Sequence, residues 1–88
     1  MLTVYSKNNC PFCDKAKHLL KTKNVAFTEV NIDTDVETRE WLMDQGHRSA
    51  PQIYLGDKLF VEGGYQGLAK LSDEEINERL GELNVSSN

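Results

Sequence analysis

The chain is poor in cysteine, proline and tryptophan, with two, two and one of them, and it has no apolar run near the ~20 residues that cross a bilayer. Two cysteines cannot build the disulfide framework that holds small secreted domains together, so the thiols are expected to serve chemistry instead. Basic residues are also scarce outside one segment. Lys7, Lys15, Lys17, Lys21 and Lys23 make up half of the ten Lys and Arg residues and face only Asp14 there. Two other stretches are acidic, Asp33 to Asp44 and Asp73 to Glu82, and the formal net charge is −4. That balance argues against nucleic acid as a partner. Nor does the chain open on a basic segment followed by an apolar one. Leu2-Thr3-Val4-Tyr5-Ser6 reads as a strand that starts at once, so the expectation is a cytoplasmic protein with no membrane association. The Asn84-Val85-Ser86 triplet matches a glycosylation acceptor in form only and is read as polar tail.

Eighty-eight residues leave room for one small domain, and 39% hydrophobic with 27% charged residues is the balance of a soluble folded one. Residues 1–84 are expected to form it, with 85–88 as a polar tail. After the first strand, the Asn8-Asn9 turn and Pro11 open a helix whose Ala16, Leu19 and Leu20 recur at helical spacing up to about Lys23, where Asn24 closes it. Residues 26–32 alternate as a strand. Asp33-Thr34-Asp35 then offers capping side chains to a second helix that stops at Gly46. Strands over 52–55 and 58–62, joined by Gly56-Asp57, make a hairpin broken by Gly63-Gly64. A helical turn from Tyr65 to Leu71 leads to Ser72 and Glu75, a capping box for a last helix carrying Ile76, Leu80 and Leu83. The order β-α-β-α-β-β-α implies an α/β fold with a mixed sheet and helices on both faces.

The chemistry centres on Cys10-Pro11-Phe12-Cys13, a C-x-x-C where a strand gives way to a helix. A sulfur just ahead of a helix meets unpaired N–H groups and the positive end of the dipole, and Lys7 lies close in sequence. Cys10 is therefore expected to ionise more readily than a free thiol and to act as the nucleophile. Cys13, one turn on and on the same side, is expected to be more buried and to resolve a mixed disulfide from within. Pro51 taken alone reads as the start of an edge strand. Gly63-Gly64 alone reads as a strand end needing positive φ. Two cysteines with at most His18 or His47 are too few ligands for a structural zinc site unless two chains share the ion, so no metal site is expected.

These motifs resemble the glutaredoxin family over essentially the whole chain. Cys10-Pro11-Phe12-Cys13 is similar to its Cys-Pro-Tyr-Cys, Ser49-Ala50-Pro51-Gln52-Ile53-Tyr54 to its Thr-Val-Pro-Gln-Ile-Phe, and Gly63-Gly64-Tyr65 follows at the matching separation. The resemblance implies a thioredoxin-like fold with a four-stranded mixed sheet. It also implies glutathione-dependent reduction of protein disulfides and protein-glutathione mixed disulfides. Glutathione is then a co-substrate, no cofactor is permanently bound, and the protein is a monomer whose partners are disulfide-bearing proteins, ribonucleotide reductase a candidate among them. It further implies a cis bond before Pro51, with the backbone of Ala50 pairing with a peptide-like substrate next to Phe12. Gly64, Tyr65 and Gln66 would meet the γ-glutamyl end, and Lys7, with Arg39 and Arg48 as further cations, the glycine carboxylate. Gln66 departs from the family: an acid is common there, and glutamine offers only a neutral carbonyl oxygen. That departure points to an alternative, a glutaredoxin-like redoxin reduced by thioredoxin reductase and serving ribonucleotide reductase. A third reading, from another class, is a metal or iron-sulfur binding module. Tyr5, Phe27 and Tyr54 are assigned to core or sheet faces and His18 to a helix surface, while Trp41 reads as packing and His47 as a histidine without a partner.

Overall fold

The computed structural model describes the backbone of residues 1–85 and side chains through Gly81. Leu83 of the expected apolar stripe and tail residues 86–88 therefore lie outside the described residues. The elements are β1 (Leu2–Ser6), α1 (Pro11–Thr22), β2 (Phe27–Asn31), α2 (Val36–Asp44), β3 (Gln52–Leu55), β4 (Lys58–Val61), α3 (Gly64–Ala69) and α4 (Asp73–Val85). The order expected from the sequence holds, with the turn after Gly63 counting as a helix of its own. That helix starts at Gly64 rather than Tyr65, with Gly63 in the cap position at φ 85°, and ends at Ala69 rather than Leu71, with Lys70 as its C-cap. The second strand is one residue shorter at each end than its alternation suggested, and the fourth stops before Glu62. Helix α4 takes in Val85, one residue past the expected boundary.

The sheet runs β2-β1-β3-β4, parallel between β1 and β2 and antiparallel elsewhere. Strand β3 is thus interior, and the edge-strand reading of Pro51 gives way: Pro51 stands just ahead of the first paired residue, Gln52, which faces Tyr5. A residue without an N–H is tolerated there because the ladder has not begun. Leu2, Val4, Ile53 and Phe60 point to one face and pack with Ala16, Leu20, Leu68 and Ile76 in one core. Across the sheet, Trp41 of α2 lies against Tyr5 and Tyr54 with ring centroids 6.0 and 5.2 Å away. Helices accordingly cover both faces.

Local chemistry sets the helix ends. Asp35 accepts the Thr38 N–H at 3.2 Å. Ser72 Oγ accepts from Glu75 N–H while the Glu75 carboxylate accepts from Ser72 N–H, both at 3.1 Å, as the capping box requires. Helix α1 is capped at Lys23, and Asn24 turns the chain away at φ 57°. Gly67 was not singled out by the sequence. A Cβ there would stand 1.8 Å from the Glu62 carbonyl oxygen, so the end of β4 and helix α3 touch backbone to backbone. Gly81, in α4, has open space around the same position.

Gly67→Ala should therefore destabilise the fold by about 1–3 kcal/mol through forced backbone displacement, whereas Gly81→Ala should stabilise it by about 0.5–1 kcal/mol by restricting the unfolded chain. Urea unfolding midpoints of the two variants check both signs.

Glu29 on β2 accepts from Lys17 at 2.8 Å and from buried Ser6 at 2.7 Å. These hydrogen bonds, the Lys17 one foremost, hold its carboxyl below the usual value of 4.5. A depressed carboxylate contributes stability above its unfolded pKa and loses it as pH falls through the folded one. The wild type should accordingly lose more stability than Glu29→Gln as pH drops from about 5 to about 3, by less than about 1 kcal/mol because the carboxylate is partly exposed. Thermal unfolding at a series of pH values reads the difference.

Candidate functional site

Cys10 is the cap of α1. Its backbone is extended at φ −119°, and its sulfur accepts the Cys13 N–H at 3.2 Å. Pro11 costs nothing at the next position, where a helix leaves its N–H unpaired in any case. The two cysteines are joined as a disulfide with Cα atoms 5.2 Å apart, inside the range that such a bond accepts. Cys10 is 8% exposed and Cys13 1%, the order expected of an attacking and a resolving sulfur. The amide aimed at Cys10 Sγ favours negative charge on that sulfur once the bond is reduced.

Opposite lies the start of β3. The Ala50–Pro51 peptide is cis. The Ala50 carbonyl oxygen is 3.8 Å from Cys10 Sγ, a contact and not a hydrogen bond in the disulfide, where the sulfur carries no proton. Gly64, at φ 58°, presses its backbone against Pro51, and a Cβ there would stand 2.7 Å from the Pro51 carbonyl oxygen. The glycine pair is therefore used twice, for positive φ and for this approach.

Two clefts meet at Ala50. The first, about 350 Å³, gathers Lys7, Arg39 and Arg48, cations from three separate segments, against the single acid Asp33. The Asp33 carboxylate already accepts the Asn8 N–H at 2.7 Å. The second cleft, about 560 Å³, runs past Phe12, Pro51, Gly64 and Gln66, and its one charged residue is Glu62. Tyr65 lines neither cleft and stacks on the half-exposed Phe12, centroids 6.0 Å apart, with Lys15 Nζ over the two rings at 5.3 and 5.9 Å. Structure thus brings Lys7, Arg39, Arg48 and Ala50 together on one side and Phe12, Ala50, Pro51, Gly64 and Gln66 on the other.

Sequence reasoning passed over Glu62, Lys15 and the partner of His47. His47 lines both clefts. It shares a hydrogen bond with Tyr54 at 2.5 Å, so the expectation of a partnerless histidine is corrected: the partner comes from β3 and could not be seen along the chain. Burial, and after it Tyr5, pushes the Tyr54 phenol above its ordinary 10.0. His18 is exposed on α1 as expected. Among the described residues no three His, Cys, Asp or Glu side chains gather where they could hold a metal ion, and no helix is long and apolar enough to cross a membrane.

A capped, amide-supported sulfur with a buried second sulfur one turn on, facing a cis-proline at the start of an interior strand, defines a dithiol-disulfide exchange site. The glutaredoxin family model matches residues 2–60. The chain is 43% identical over 72 residues to the glutaredoxin-like protein NrdH of Lactococcus lactis subsp. cremoris, covering 82% of this chain and 100% of that one. It is 40% identical over 53 residues to glutaredoxin 3 of Escherichia coli K12, covering 59% and 64%. Among solved structures it is similar to the glutaredoxin-like NrdH-redoxin of Escherichia coli, described as having a thioredoxin-like activity profile (TM-score 0.67, 27% identity, 88% and 91% covered). It is also similar to a buckwheat glutaredoxin-glutathione complex (TM-score 0.72, 26% identity, 92% and 76% covered). The chain belongs to the glutaredoxin family, with its thioredoxin-like fold and thiol-disulfide oxidoreductase chemistry.

In the reduced protein Cys10 should be alkylated well before Cys13 at mildly acidic pH, by roughly ten-fold or more in rate, since only a capped, more accessible sulfur supplies thiolate there. Peptide mass mapping after brief iodoacetamide treatment measures this; equal labelling would remove the assignment of attacking and resolving roles.

Proposed function

We propose that this chain is a dithiol redoxin of the NrdH kind, reduced by thioredoxin reductase and passing its electrons to disulfides of proteins, with ribonucleotide reductase a candidate target. The observation that carries this over the glutathione-dependent expectation is the 43% identity spanning the whole of the Lactococcus NrdH. Gln66 supports it, because the cleft by Gly64 then lacks an acid at that position for the ammonium of glutathione. In the cycle, Cys10 thiolate attacks the target disulfide and one target sulfur leaves as thiolate. Cys13 thiolate then attacks Cys10 Sγ, closing the Cys10–Cys13 disulfide and expelling the second target sulfur. Two electrons pass to the target, and the reductase returns them.

One observation favours glutathione as the reductant instead. Lys7, Arg39 and Arg48 surround a cleft beside Ala50, the disposition that a glycine carboxylate needs.

Incubating the oxidised protein with thioredoxin reductase plus NADPH, or with reduced glutathione, and counting free thiols separates the two. The expected result is two thiols per chain within minutes from the reductase and at least about ten-fold slower release by millimolar glutathione. Reduction by glutathione alone would overturn the proposal in favour of the second reading.

A further inference from the structure

We infer that the two clefts meeting at Ala50 form one substrate track of fixed charge polarity, which selects polypeptide disulfides carrying carboxylates on one side of the reacting cysteine and cations on the other. The inference rests on the reading of Cys10 as nucleophile toward protein disulfides. Its basis is an opposition within the site. On one side of Ala50 stand Lys7, Arg39 and Arg48, all exposed, with the lone carboxylate of Asp33 already engaged by a backbone N–H. On the other side Glu62 is the only charged lining residue, beside neutral Gln66. The net charge of the chain is −4, so the cationic cleft runs against the protein as a whole and cannot be put down to general basicity.

The Ala50 carbonyl lies 3.8 Å from Cys10 Sγ, so a substrate sulfur that reaches Cys10 brings its own chain across Ala50. An extended strand advances about 3.3 Å per residue, and flanking side chains two or three positions from the cysteine therefore fall into the clefts to either side. Carboxylates on the Lys7 side and ammonium or guanidinium groups on the Glu62 side are attracted; the reverse order sets like charges against each other.

The test uses the full chain reduced beforehand with dithiothreitol and desalted, so that it does not depend on which reductant serves the protein. Its probes are homodimeric disulfides of three short peptides: two aspartates before the cysteine and two lysines after it, the reverse order, and serines throughout. Single-turnover reduction is followed against peptide concentration at low and at 0.5 M salt. One charged order should be reduced with an apparent dissociation constant about three- to ten-fold below that of the other, the serine peptide falling between, and the difference should shrink in salt. The limiting rate should stay alike for the two orders, since the exchange step is the same. Double substitution Arg39→Gln with Arg48→Gln, and separately Glu62→Gln, should each bring the ratio between the orders toward one. Equal constants for the two orders, or a preference that survives both sets of substitutions, would overturn the inference. Failure to reduce any of the three peptides would overturn the nucleophile reading beneath it and the inference with it, a result recognisable because the serine peptide fails as well.

Discussion

Much of this molecule hangs on two backbones that touch without a side chain between them. Gly64 opens α3 against the carbonyl of Pro51, at a distance that no Cβ tolerates, and one turn later Gly67 sits against the carbonyl of Glu62 in the same way. Helix α3 is thereby fixed to both the start of β3 and the end of β4. A six-residue helix has too few intrahelical bonds to hold itself together in water, so its position comes from these contacts and from buried Leu68. The consequence reaches the dithiol. Tyr65 and Gln66 take their places from the backbone of α3, and Tyr65 in turn supports Phe12, the residue between the two cysteines.

The two faces of the sheet divide the labour. One carries the aliphatic core that fixes α1, and hence Cys10, through Ala16 and Leu20. The other carries an aromatic group, Tyr5, Trp41 and Tyr54, in edge and tilted contacts. His47 joins that group through its hydrogen bond to Tyr54 and an edge contact between the two rings, centroids 5.6 Å apart. Arg48 and Ala50, which line the cleft with Lys7, thus follow closely on a residue bonded to a phenol buried on the far side of the sheet from the α1 core.

What could be read along the chain was whatever is decided locally. The C-x-x-C at a strand-to-helix junction, the Gly56-Asp57 turn and the Ser72 and Glu75 capping box each carry their geometry within a few residues, and each formed as expected. Asp35 is the same case. Boundaries set by distant contacts were not legible: β4 ends and α3 begins where Gly67 and Gly64 must clear carbonyls of other segments. The same holds for the site. Cys10, Cys13 and Pro51 announce thiol exchange, yet they are common to both candidate electron donors. Gln66 bears on the proposed choice of donor, and Glu62 lines the same cleft although none of the three motifs contains it.

The charge pattern shows how far linear reading can mislead even when every residue is counted correctly. Five lysines between positions 7 and 23 look like one basic patch. Two of them are committed elsewhere: Lys17 to Glu29 and Asp14, and Lys23 to Asp73. Lys15 lies over the Phe12 and Tyr65 rings, where ring faces attract a cation at little desolvation cost. Only Lys7 of the segment lines the cleft beside Ala50, and its companions there arrive from α2 and from the loop ahead of β3. A cationic site in an acidic protein is therefore a product of topology. Exposed charges of this kind act chiefly on encounter and orientation, while the exchange itself depends on the sulfur and the amide pointed at it. On the inference drawn above, specificity and chemistry are consequently carried by different residues.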